Sequence, residues 1–85
     1  MNLIVEIDRT NEERIKVTMP TATFYKYKDL VTDFTIYANE KFKEGFDAYK
    51  GPTEDDVKEN VTFRVAFYSE EEASEALESV RQYFE

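Results

Sequence analysis

The 85-residue chain contains no cysteine and no histidine, so neither a disulfide nor the usual zinc ligands can staple it and its fold must rest on one apolar core. Chains of this length sit near the lower limit for folding unaided. One domain spanning residues 1–85 is therefore expected, with a core dense in large side chains. Seven Phe and six Tyr meet that need, since each buried ring removes roughly 150 to 250 Å² from water.

The missing residue types also restrict chemistry. Without histidine the usual general base is gone, and without cysteine there is no thiolate nucleophile. Ser69 and Ser79 have no imidazole to activate them, and the lysines sit among charges without the apolar pocket that lowers an ammonium pKa. Glu54-Asp55-Asp56 with Glu59 is the densest acidic loop segment, yet it lacks the alternating ligand positions and the turn glycine of a calcium loop. These exclusions predict a non-enzymatic protein with no cofactor and no metal. Met1 to Asp8 has no basic region and no small-residue cleavage pattern, and no stretch approaches the roughly twenty apolar residues of a membrane span. A cytoplasmic location without membrane contact is the expectation, and the sequon Asn60-Val61-Thr62 carries no weight against it.

Leu3, Val5 and Ile7, then Ile15, Val17 and Met19, recur at every second position across a polar link containing Asp8 and Asn11, which predicts an antiparallel hairpin. Pro20 ends it. From Phe24 to Tyr49 the apolar residues Phe24, Tyr27, Leu30, Val31, Phe34, Tyr37, Ala38, Phe42, Phe46 and Tyr49 share one half-cylinder at 100° per residue. That spacing predicts a helix from about residue 22 to 48, stopped by Gly51-Pro52. The β-branched and aromatic run at residues 31–37 leaves open a break near 33–35 and a strand over 33–37. Residues 53–60 form a loop or single turn. Val61, Phe63, Val65 and Phe67 alternate as a strand, and the capping box Ser69 to Glu72 opens a last helix with Ala73, Ala76, Leu77, Val80 and Phe84 on one face. The class is α+β: a two-layer domain, an antiparallel sheet of three or four strands with two helices on one face, in the order β-β-α-β-α.

Net charge is -8, from nineteen acids and eleven bases. Residues 1–50 hold nine acids and eight bases, whereas residues 51–85 hold ten acids and three bases, so almost the whole excess is C-terminal. A field of this sign opposes direct binding to nucleic acid and favours a cationic partner. On the last helix Glu71, Glu75 and Glu78 fall in one row opposite the apolar stripe, with Glu70 and Glu72 at the start. Carboxylates three and four residues apart stand roughly 5 to 6 Å from one another at Cβ, on the scale of successive phosphates. The first-turn acids also favour the helix dipole, and exposed Glu is a common solubilising choice. No base follows Glu75 or Glu78 at i+4, which leaves their mutual repulsion for a cationic partner to relieve.

A small, acidic, cysteine-free domain with the Glu54-Asp55-Asp56 loop and the Glu71, Glu75, Glu78 row resembles the phage-encoded anti-CRISPR proteins and other viral DNA mimics. The resemblance lies in size and charge over the whole chain and in no sequence motif. It implies a stoichiometric inhibitor acting in the host cytoplasm, which occupies a basic surface of a nucleic-acid-binding enzyme or effector complex. The partner-binding residues on this reading are Glu54, Asp55, Asp56, Glu59, Glu70, Glu71, Glu72, Glu75 and Glu78. The eight bases of residues 1–50 depart from a wholly phosphate-like surface. A second reading is a homodimeric or larger structural or regulatory domain, joined through the free hairpin edge or through Tyr25, Ile36 and Tyr68, which point off the core faces of their elements.

Overall fold

The computed structural model describes residues 3–53 and 56–85. Strands β1 (Ile4–Ile7) and β2 (Arg14–Pro20) form the antiparallel hairpin, in register from Ile4 opposite Thr18 to Ile7 opposite Ile15. Alternation decides which side chains face inward: Val5, Ile15, Val17 and Met19 are buried, and Leu3 and Ile7 pack at the rim of the core. Strand β4 (Asn60–Phe67) pairs with the full length of β2 and buries Val61, Phe63, Val65 and Phe67 on the same side. With β3 (Phe46–Lys50) at the far edge, the sheet is four-stranded, antiparallel throughout and ordered β1-β2-β4-β3.

The segment after Pro20 departs from the single helix expected over residues 22–48. It forms α1 (Thr21–Phe24), an irregular link over residues 25–29, α2 (Leu30–Phe42), one 3₁₀ turn (Lys43–Gly45) and then β3. The order is β-β-α-α-β-β-α, and the fourth strand comes from residues 46–50, while residues 33–37 are helical. Two backbone positions explain the interruptions. Asp29 has φ 29° and Lys43 has φ 51°, conformations that helix interiors do not contain and that only short polar residues or glycine adopt readily. The helical spacing of Phe46 and Tyr49 has a different origin. A register shift between Phe46 and Ala48 inserts one extra residue, Asp47, so that Phe46 opposite Phe67 and Tyr49 opposite Val65 face the core although they are three residues apart. A bulge therefore reproduces a helix-like spacing inside a strand. The new helical phase also moves two neighbours: Leu30, expected at the edge of the apolar face, is buried at 7% exposure, and Val31, expected inside, is 55% exposed.

Helix α3 (Glu70–Phe84) begins where the capping residues predict, with Ser69 Oγ accepting from the Glu72 N–H at 3.1 Å. It packs on β1, β2 and β4, and α2 packs over β3. The two helices meet through rings. Phe34 of α2 has no exposed surface; it stacks on Phe84 at 5.5 Å and meets Tyr83 at 5.1 Å and Phe46 at 6.2 Å. Both helices therefore cover one face of the sheet, and among the described residues no helix packs on the other face. Burial pushes the Tyr49 and Tyr83 hydroxyls above the ordinary tyrosine pKa, with the Asp33 carboxylate, Tyr27 and Tyr37 adding to the effect at Tyr83. These phenols contribute stability that is present below the ordinary value of 10.0 and lost as pH rises through their folded values.

Two substitutions test this packing. Phe34→Ala should cost about 3 to 5 kcal/mol in urea unfolding, the range for an emptied aromatic site, and a cost below about 1 kcal/mol would show that the rings do not share one core. Lys43→Gly should stabilise the fold by up to about 1 kcal/mol, because glycine carries no Cβ penalty at positive φ. A loss of stability on that change would contradict the backbone conformation described here.

Candidate functional site

Helix α3 carries the acids singled out from the sequence. With Ala73, Ala76, Val80 and Phe84 buried and Leu77 half-buried, its opposite side presents Glu71, Glu75 and Glu78 to solvent, and Glu70 is exposed at its first turn. Glu71 and Glu75 form no ion pair among the described residues, whereas Glu78 accepts from Arg81 Nη1 at 2.8 Å. The base three residues on thus relieves part of the repulsion at Glu78. Arg81 also donates through Nη2 to the Val5 carbonyl at 3.0 Å, on β1 at the sheet edge. That bond anchors the crest of α3 to the sheet and occupies one acceptor of the edge strand, which blunts the hairpin edge as a pairing surface. Glu72 is half-buried, and its carboxylate lies against Gly45, turned toward the 3₁₀ turn and away from the crest. Asp33 and Glu40 on α2 add to the acidity of this layer: α2 and α3 together hold seven acids against the two bases Lys41 and Arg81.

The loop acids lie elsewhere. Asp56 Oδ2 accepts from the N–H and hydroxyl of Thr53 at 3.1 and 3.0 Å and from Arg64 Nη1 at 3.0 Å. Arg64 stands on β4 between the buried Phe63 and Val65, so its side chain projects from the uncovered face of the sheet, away from α3. Glu59 is exposed, and its carbonyl accepts from the Thr21 N–H at 3.0 Å, while the Lys58 carbonyl accepts from the Thr21 hydroxyl at 2.7 Å. Glu54 and Asp55 lie outside the described residues. Of the nine acids expected to act as one surface, the structure separates those it describes: Glu70, Glu71, Glu75 and Glu78 share the helical layer, Glu72 points aside, and Asp56 is bound within the uncovered face. No group of three carboxylates converges for a metal ion among the described residues.

Arg64 and Asp8 were not singled out from the sequence, yet they organise that second face. Asp8 is the only buried polar residue among those described, at 4% exposure, and Arg64 Nε donates to its Oδ2 at 3.3 Å. Burial works to raise the Asp8 pKa, but the N–H and hydroxyl of Thr10 and the Arg64 guanidinium outweigh it and hold the carboxyl below the ordinary value of 3.8. The Thr53 N–H is the largest influence on Asp56 and lowers it too, with the Thr53 hydroxyl and Arg64 adding and burial opposing. The one sequence signal for this network was an arginine at a half-buried position of the clearest strand.

The sign of these shifts fixes a prediction. Carboxylates held below their unfolded pKa contribute stability above that value and lose it as pH falls through the folded pKa. Arg64→Met should cost about 1 to 3 kcal/mol near neutral pH by taking the guanidinium from Asp8 and Asp56, which keep only their threonine partners, and the gap to wild type should close below about pH 4 as both protonate. A gap independent of pH, followed by urea unfolding, would show that the arginine acts only through packing.

No protein-family model matches the chain, and no curated protein or solved structure shows significant similarity to it.

Proposed function

We propose that this protein is a non-catalytic inhibitor that binds a basic protein surface through the crest of α3, with Glu71, Glu75 and Glu78 as principal contacts and Glu70 beside them. The observation that carries the reading is the crest itself: three exposed carboxylates on a capped helix whose opposite side is buried, two of them without an ion-pair partner among the described residues. A row of anions on a rigid helix is complementary to the lysine and arginine rows with which proteins grip a phosphate backbone. Its spacing of about 5 to 6 Å between neighbouring Cβ atoms suits such a row. On this reading the partner is a nucleic-acid-processing protein, such as a guided nuclease of host defence, and the inhibitor competes with nucleic acid for the same cations. Asp56 is left out of the principal contact because it is tied to Arg64 on the far side of the sheet.

Reversing charge at Glu71, Glu75 and Glu78 together should weaken binding to a guided nuclease by about tenfold or more, given exposed pairs worth up to about 1 kcal/mol each. The fold should survive: Glu75 and Glu78 are exposed away from the caps, where changes cost less than about 0.5 kcal/mol each, and reversing Glu71 in the first turn adds a helix-dipole cost of about 0.3 to 1 kcal/mol. Wild-type binding should weaken as salt screens the pairs and should exclude nucleic acid from the partner. Binding that ignores both salt and the triple reversal, or a ternary complex with nucleic acid still in place, would sink the proposal.

A further inference from the structure

The sheet face opposite the helices is a surface that the partner reading leaves unused. Its side chains follow from alternation on each strand: Ile4, Glu6 and Asp8 from the β1 segment, Arg14, Lys16 and Thr18 from β2, Thr62, Arg64 and Ala66 from β4, and Ala48 and Lys50 from β3. Lys16, Arg64 and Lys50 stand directly opposite one another across three neighbouring strands, and Glu6 of β1 stands opposite Lys16 at the end of the row. With Arg14 they set four cations on the strands against the acids Glu6, Asp8 and Asp56 among the described residues, on a chain whose total is -8. Both Asp8 and Asp56 are engaged by Arg64, and Arg14, Lys16 and Lys50 form no ion pair among the described residues. The helical layer is acidic and this face is not.

We infer that the uncovered sheet face of one molecule docks the α3 crest of a second copy of the same chain. Dimensions agree: adjacent strands lie about 4.8 Å apart, so Lys16 to Lys50 spans about 10 Å, and the seven-residue step from Glu71 to Glu78 rises about 10 Å along a helix. A helix laid across the strands brings its outer carboxylates over Lys16 and Lys50, the two cations that flank the Arg64 already held by Asp8 and Asp56. The crest and the sheet row lie on opposite sides of a two-layer domain, so no molecule satisfies its own row. The contact is head-to-tail and does not close into a symmetric dimer. Being built from exposed ion pairs without an apolar anchor on the crest, it is weak, salt-sensitive and visible only at high protein concentration. Self-stacking hides the crest, which makes the stored protein a reservoir that a basic partner draws down.

Sedimentation equilibrium up to about 1 mM protein, a range that reaches weak contacts, tests this with two variants: Lys16→Glu with Lys50→Glu, and Glu71→Lys with Glu75→Lys and Glu78→Lys. In low salt the wild type should rise in mean mass with concentration through a series of sizes and return to monomer in high salt. Each variant alone should stay monomeric, since each carries like charge on both faces, and an equimolar mixture of the two should associate again. That recovery is not expected from misfolded variants or from another interface. A monomeric wild type throughout, association that persists in either variant alone, or a mixture that stays monomeric would overturn the inference. The sheet variant keeps its crest, so its binding to a basic partner tests the partner reading separately.

Discussion

Phe34 is fully enclosed, and its ring meets rings from α3 and β3 at once. Through Phe84 the same stack reaches Phe63 on β4 at 5.6 Å. In a chain this short, with no disulfide, that aromatic stack is what joins two helices to a sheet. Everything proposed about function depends on it. The crest of α3 is an ordered row only because the opposite side of that helix, Ala73, Ala76, Val80 and Phe84, has a surface to be buried against.

The one-sided layering has an electrostatic consequence. Helices cover one sheet face, so mostly polar side chains occupy the exposed sides of both layers, and among the described residues these differ in sign: seven acids against two bases on α2 and α3, and three acids against four bases on the open sheet. The Arg64 network adjusts this second face. It satisfies the buried Asp8 carboxylate, ties the Thr53 to Asp56 turn to the sheet and leaves no buried side-chain polar atom unpartnered among the described residues. An acid that looked available for a partner is thereby committed to holding the domain together, in a place where a missing partner would carry a full desolvation cost.

Strands with one wet face were legible in the sequence, because burial imposes a period of two on β1, β2 and β4, and α3 was legible because its capping residues and its apolar period coincide. The middle of the chain was not. Phe46 and Tyr49 continue the helical spacing of α2, and only the bulge at Asp47 reveals that a strand can place residues three apart on one face. Nor does composition announce that Asp29 and Lys43 adopt positive φ. For the candidate site the same division holds. A row on a helix follows from local geometry, so the exposure of Glu71, Glu75 and Glu78 could be read directly. The grouping of Asp56 with Asp8 through Arg64 depends on strand pairing between residues far apart in sequence, which local spacing does not encode.

The central claim is that the α3 crest, and not acidity in general, is the surface that meets cations. Chemical-shift mapping of the isotope-labelled protein with a short arginine-rich peptide addresses it directly, since every backbone amide reports at once. The account predicts the largest salt-reversible shifts along the exposed side of α3, at Glu71, Glu75 and Glu78, with Asp56 and the other acids around Arg64 little changed. Shifts spread evenly over all exposed acids, or concentrated on the loop around Asp56, would contradict it.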